Sequence, residues 1–200
     1  MKKTILKIEI SILISLIIIN SFSFLSFSKQ CDDIRNKLLR MHVFANSDSD
    51  ADQELKLKVR DALLIEGKEI FDGSVTADDA TEKILPHLDR LKTSAKKVIM
   101  ENGYDYDVKI TVQKEYFKTR TYDNQITLPA GEYTAVKVVI GEGEGENWWC
   151  VMFPPMCLPA AKDETEISDV LNSKEMTIVN NGKRYSFRFK FLEFCEELFK

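Results

Sequence analysis

Basic side chains do not outnumber acidic ones in this chain, with 28 Lys and Arg against 32 Asp and Glu, and no cluster of them stands out. Phosphate binding draws its free energy from clustered cations that release counterions, so nucleic acid is not expected as a partner. Histidine is scarcer still. His42 and His87 stand alone, whereas a zinc centre needs closely spaced ligand pairs, so neither a metal nor a cofactor is expected. The catalytic signatures Gly-x-Ser-x-Gly and His-Glu-x-x-His are both missing. The run Gly141-Glu142-Gly143-Glu144-Gly145-Glu146 has the glycines of a phosphate loop, but its three glutamates repel phosphate and no lysine follows at the Walker position. Asp48, Asp50 and Asp52 begin like a calcium loop, which then fails at Gln53, where glycine is required, and at Val59, where a bidentate glutamate belongs. No internal repeat is evident and no carboxylate pair has a reason to be held together, although a fold can assemble one from distant segments. No catalytic residue is assigned, and the chain is read as a non-enzyme.

What is present begins with the N-terminus. Lys2, Lys3 and Lys7 form a basic opening, Ile8 to Ile19 is apolar except for Glu9, Ser11 and Ser15, and the small residues Ser26 and Ser28 follow. This is the layout of an export signal. Ile10 to Phe27 is also 18 residues without a charge, near the lower limit for a membrane-spanning helix. The apolar density falls after Asn20, which favours cleavage near Ser28 over a retained anchor; a retained segment would give membrane contact through residues 1–28. Lys29 and Gln30 before Cys31 fit a lipidated cysteine poorly. Without residues 1–28, 25 basic and 31 acidic side chains remain, a net charge of about −6. The remaining length suits one compact domain, or a domain with a small appendage.

Four cysteines in an exported chain read first as disulfide chemistry. Cys150 and Cys157 are the expected pair, because the six residues between them include Pro154 and Pro155 and can form a turn. Closing so short a loop stabilises by roughly 2 kcal/mol in the chain-entropy picture. Cys31 and Cys195 are left free or paired with each other. The same stretch holds the only two tryptophans, Trp148 and Trp149, between the acidic glycine loop and the cysteine-bracketed turn. Large amphipathic rings are enriched where proteins meet, and the alternative is that both rings are core. On a strand, adjacent side chains point to opposite faces, so one ring would be buried and the other offered outward.

Along the chain, Asp32 to Leu39 suits a short helix or lead-in, and Met41 to Ala45 a buried strand ended by Asn46-Ser47-Asp48-Ser49-Asp50, with His42 as a core histidine. A helix is expected from Asp50, with Gln53 three residues on as a capping arrangement, Asp52 and Glu54 in its first turn, and Gly67 as its cap. A second runs from about Ala77 to Glu101, divided or kinked by Pro86 near Leu85. From Tyr104 the apolar period changes to two. Tyr106 to Val112, Tyr116 to Tyr122 and Glu132 to Ile140 read as three strands, with Leu128-Pro129-Ala130-Gly131 as a turn, suggesting an antiparallel meander. Pro159 to Ser173 is polar and acidic, the best candidate for a mobile connection. Met176 to Val179 then precedes a turn at Asn180-Asn181-Gly182, and Arg184 to Phe189 leads into a final helix through Leu198. The fold class is α+β, an antiparallel sheet packed with about three to four helices after the export segment.

His42-Val43-Phe44-Ala45-Asn46-Ser47-Asp48-Ser49, Asp52 to Ala62, Leu128 to Tyr133 and above all Gly141-Glu142-Gly143 with Asn147 to Cys157 resemble the stage II sporulation protein R family of endospore-forming Firmicutes. The resemblance covers roughly residues 34–160. It implies a signalling domain over residues 29–160, with residues 161–200 an extension packed on or appended to it. It further implies secretion across the forespore membrane into the space between forespore and mother cell. There the family activates a membrane-embedded aspartic protease that processes the pro-sigma-E precursor. On this reading Trp148, Trp149, Phe153, Pro154 and Pro155 form the partner-binding face, Cys150 and Cys157 fix its shape, and Asn46, Ser47 and Asp48 line the same edge. Two other classes remain, a secreted hydrolase of cell-wall or peptide substrates that would depend on His42 or a carboxylate, and a structural envelope protein.

Overall fold

The structure, a computed structural model, describes residues 2–122, 125–155 and 167–198. A long helix α1 (Lys2–Asn36) leads into strand β1 (Leu39–Phe44), followed by helices α2 (Asp50–Ile70), α3 (Ala77–Ile84) and α4 (Leu88–Glu101). Strands β2 (Val108–Phe117), β3 (Arg120–Tyr122), β4 (Ile126–Leu128), β5 (Gly131–Ile140) and β6 (Asn147–Phe153) come next, then helices α5 (Ile167–Val170), α6 (Ser173–Asn180) and α7 (Gly182–Leu198). The fold is α+β, as expected.

Local chemistry explains the helix bounds. Ser49, not Asp50, caps α2 by accepting from the Asp52 backbone N–H, a contact worth about 1 kcal/mol. Gly67 does not end that helix. It lies inside α2 facing Met152, on the stripe Leu55, Val59, Leu63, Gly67 and Ile70 that seats the helix on the sheet. Thr76 and Asp79 form a capping box that starts α3, and a short 3-10 turn at Leu85–His87 containing Pro86 separates α3 from α4. Asp32 belongs to α1, which continues unbroken to Asn36.

The main sheet has the order β2-β5-β1-β6, and β3 and β4 form a separate hairpin. β5 is antiparallel to β2, β6 is antiparallel to β1, and β1 runs parallel to β5. The expected meander is therefore corrected: the first strand of the chain is inserted between β5 and β6. The expected strand Tyr116 to Tyr122 is also split, its first part closing β2 and its last part pairing in the hairpin.

Alternation divides the sheet into two apolar layers. Leu39, Met41 and Val43 face α2, α3 and α4, while Leu38, Phe117, Tyr133 and Val151 pack with α1, α6 and α7. Burying each such large side chain contributes about 1.5–3 kcal/mol. Asn172 with Glu175 forms a capping box that starts α6, so Met176 to Val179 is helical, and the turn expected at Asn180-Asn181-Gly182 is reduced to Asn181 between α6 and α7. The Arg184 to Phe189 stretch alternates like a strand, but Tyr185, Phe189 and Leu192 stand at helical spacing in the layer with α1, where Tyr185 and Phe189 meet Phe27. Of the connection expected to be mobile, Pro159 to Ser173, residues 159–166 lie outside the described residues, and the rest includes the short helix α5.

Candidate functional site

Because β1 lies between β5 and β6, the loop 141–146 must cross the end of β1. That crossing explains its glycines. Gly141 and Gly143 have φ of 56° and 68°, in the left-handed region that glycine enters without strain. A Cβ on Gly145 would come closer than 3.0 Å to the backbone carbonyl of Ser47. The loop is tied to the residues that follow β1. Glu142 N–H donates to Asn46 Oδ1 at 3.1 Å, Gly145 N–H to Ala45 O at 3.1 Å, and Glu146 N–H to Asp48 Oδ1 at 2.6 Å. Lys56 Nζ donates to the Glu146 carbonyl at 2.7 Å, and desolvation holds its pKa below the usual lysine value. Ser47 Oγ and Asn46 Nδ2 both donate to Asp52 Oδ2, at 2.5 and 2.9 Å. Burial acts to raise the Asp52 pKa, but these donors outweigh it and leave the carboxyl below the usual range. The structure thus brings Asn46, Ser47 and Asp48 to the tryptophan edge, where they brace the loop. Glu142, Glu144 and Glu146 remain exposed along its rim.

β6 is an edge strand, and its two rings point to opposite sides. Trp148 is 37% exposed, with the Arg60 guanidinium 4.8 Å from its ring centroid, a cation–π contact. Trp149 is half-buried, stacked on His42 with ring centroids 3.6 Å apart and edge-on to Phe117 at 4.7 Å. Phe153 departs from the expected contact face. It is buried and edge-on to Phe71 at 5.8 Å, because the register shift opposite Leu39 and Arg40 turns it into the α2 layer, away from Val151. Pro154 is buried as well, and Pro155 is half-buried. Cys150 is buried, Cys31 and Cys195 are free, and Cys157 lies outside the described residues.

Behind Trp149 lies a polar group that sequence reasoning missed. His42 Nδ1 is 2.9 Å from Glu115 Oε2, and Lys137 Nζ is 3.4 Å from Glu115 Oε1. His42, Lys137 and Thr111 stand in register across β1, β5 and β2. Two positions along β1 the fully buried Arg40 guanidinium sits 4.1 Å over Phe117 and 4.9 Å over Tyr133, and one of its nitrogens donates to the Tyr122 hydroxyl. The available signal was alternation: in Leu39-Arg40-Met41-His42-Val43, the polar members share the face opposite the apolar ones. His42 Nε2 is buried without a hydrogen-bond partner among the described residues, so no nucleophile is set against it. Among those residues no three His, Cys, Asp or Glu side chains are grouped to hold a metal ion.

Burial lowers the His42 pKa, and the Glu115 carboxylate offsets this only in part. The unfolded chain, at the ordinary histidine value of about 6.5, therefore takes up the proton first as pH falls. Stability at this site is expected to be flat above that value and to decline below it until the lowered native pKa is passed. Denaturant titrations from neutral to mildly acidic pH should show the decline in the native chain and lose this component in His42→Gln. An unchanged slope in that variant would rule out His42 as its source.

The family model described as stage II sporulation protein R matches residues 35–163, more than half of the chain. The chain belongs to this family. The stage II sporulation protein R of Bacillus subtilis (strain 168) is 37% identical over 124 residues, which is 62% of this chain and 55% of that protein, so the match spans little more than half of the relative. No solved structure matches. The stage II sporulation protein R region takes in the whole main sheet, α2, α3, α4 and the tryptophan strand, and it ends before α6 and α7. Its name denotes a role in sporulation rather than a catalytic activity. The apolar helix α1, largely outside the match, is compatible with export or a membrane anchor.

Proposed function

We propose that the chain is an intercompartmental sporulation signal. It is exported from the forespore into the intermembrane space, where it activates a membrane-embedded aspartic protease that cleaves pro-sigma-E. The observation that carries this reading is the family match over residues 35–163, which contains the exposed Trp148 on a sheet edge. Activation requires that the domain bind the active arrangement of the protease more tightly than the inactive one, since a ligand with equal affinity for both shifts nothing. Trp148 supplies the apolar anchor on one side of the edge strand, the half-buried Trp149 lies on its other side, and the half-buried Pro155 follows the strand. The loop braced by Asn46 and Asp48 sets the height of the strand, and a Cys150–Cys157 disulfide closes the turn after it.

The test is reconstitution of the protease and its precursor in vesicles with and without the full chain. Cleavage that appears only when the chain is on the extracytoplasmic side supports the reading. Equal cleavage without the chain, or turnover of a substrate by the chain alone, removes it.

A further inference from the structure

Helix α7 carries two apolar stripes, one packed inside the protein and the other touching it through Phe191. Tyr185, Phe189 and Leu192 pack against α1 and its neighbours. Phe187, Phe191, Phe194 and Leu198, at spacing i, i+4, i+7, i+11, form the second, and they are 80%, 43%, 59% and 65% exposed. Single exposed apolar residues are ordinary, but a continuous aromatic stripe on one helix marks a surface that something covers.

Its position identifies the occupant. Phe191 lies edge-on to Phe24 with centroids 4.7 Å apart, and Arg188 Nη2 donates to Ser23 Oγ at 3.0 Å. The N-terminal half of α7 therefore sits beside the end of the charge-free run Ile10 to Phe27, where Phe22 and Leu25 are also exposed. Charge is sorted along the same helix. Lys183, Arg184, Arg188 and Lys190 occupy the half next to that run and make no ion pair with a described carboxylate. Glu193, Glu196 and Glu197 occupy the far half, where Glu196 pairs with Arg35 at 3.0 Å and Glu197 with Lys118 at 3.9 Å. Aromatic rings level with the end of an apolar span, surrounded by cations and followed by anions farther out, match the order of a bilayer's acyl boundary, phosphate layer and water. A protein partner would impose no such sorting with distance from the charge-free run Ile10 to Phe27.

We propose that α7 is a second, interfacial membrane contact. Phe187 and Phe191 enter the headgroup boundary, and Lys183, Arg184 and Lys190 lie on anionic lipid phosphates. The domain is then docked at two points instead of tethered by α1 alone. The proposal rests on α1 lying in the bilayer, not on the identity of the protease.

The experiment uses the full chain with Cys195→Ser, reconstituted in vesicles containing phosphatidylglycerol. Burial pushes the Cys31 thiol up to about 12, so it stays unreactive. An environment-sensitive fluorophore is placed in turn at Leu13→Cys, Phe187→Cys and Ile65→Cys, the last exposed on α2. Lipids brominated near the headgroup should quench the Phe187 probe about threefold more than the Ile65 probe, as expected for a helix lying in the interface. Brominated lipid should also quench the Leu13 probe. The Phe187 quenching should fall in vesicles of phosphatidylcholine alone and in K183E/R184E/K190E. A Phe187 probe quenched no more than Ile65 while Leu13 is quenched overturns the proposal. So does one shielded from aqueous iodide yet untouched by brominated lipid, which would place a second copy or another protein on the stripe. An unquenched Leu13 probe removes the premise. Undiminished Phe187 quenching in both the neutral vesicles and the charge-reversed variant overturns the assignment of the basic residues.

Discussion

Trp148→Ala is expected to leave the domain folded while raising the concentration needed for precursor cleavage by about 30-fold or more, since an aromatic anchor at the centre of an interface contributes about 2 kcal/mol or more. The ring is 37% exposed and rests against the Arg60 side chain, so its removal costs less packing than removal of a fully buried ring. Phe153→Ala is the contrasting variant. That ring is buried under α2 against Phe71, and removing it should destabilise the domain by about 3–5 kcal/mol. Thermal unfolding and a processing titration, run on both variants, separate the two effects. Wild-type potency in Trp148→Ala would move the contact away from β6. A folded but inactive Phe153→Ala would contradict its placement in the core.

Gly145→Ala is expected to have a comparably large effect by a different route. The added methyl would meet the Ser47 carbonyl, which is backbone and cannot swing aside as a long side chain can. Either the loop 141–146 lifts away from the end of β1 or the strand ends separate, and in both cases the contacts from Gly145 to Ala45 and from Glu146 to Asp48 are lost. The loss of these two hydrogen bonds at about 1 kcal/mol each, with strain added, predicts destabilisation of about 3 kcal/mol. Gly103→Ala serves as the comparison. Gly103 also has positive φ, but open space surrounds the position a Cβ would take, so a loss near 1 kcal/mol is expected. Equal unfolding midpoints for the two variants would show that the loop is not pinned as described.

These contrasts indicate which features the sequence makes legible. Pro86 divides α3 from α4 where its missing donor and ring require. The adjacent tryptophans face opposite ways because β6 is a strand. Both follow from local rules. The parallel pairing of β1 with β5 does not, because strand order is decided by how three intervening helices pack, which no local period records. The tail misled for a related reason. Phe-Arg-Phe-Lys-Phe from Phe187 to Phe191 satisfies a period of two and, with apolar residues on two helix faces, also a period of 3.6, and only the presence of α1 decides between them. At the candidate site, the outward turn of one tryptophan of the pair followed from strand alternation. The burial of Phe153 and Pro154 was not legible, since aromatic and proline residues suit a core as well as a contact. The Glu115 and Lys137 partners of His42 come from strands distant in sequence, and only their register joins them.

Strand β1 carries two basic side chains of opposite character. The Arg40 guanidinium is charged at every pH the cell meets, so its cage of aromatic rings and its grip on Tyr122 hold the β3–β4 hairpin equally well in neutral and acidic surroundings. His42, two residues along and stacked beneath Trp149, gains its charge only on acidification. A fall in pH would therefore loosen the tryptophan end of the sheet while the hairpin end stayed fixed, giving one continuous strand an acid-labile half and an acid-indifferent half.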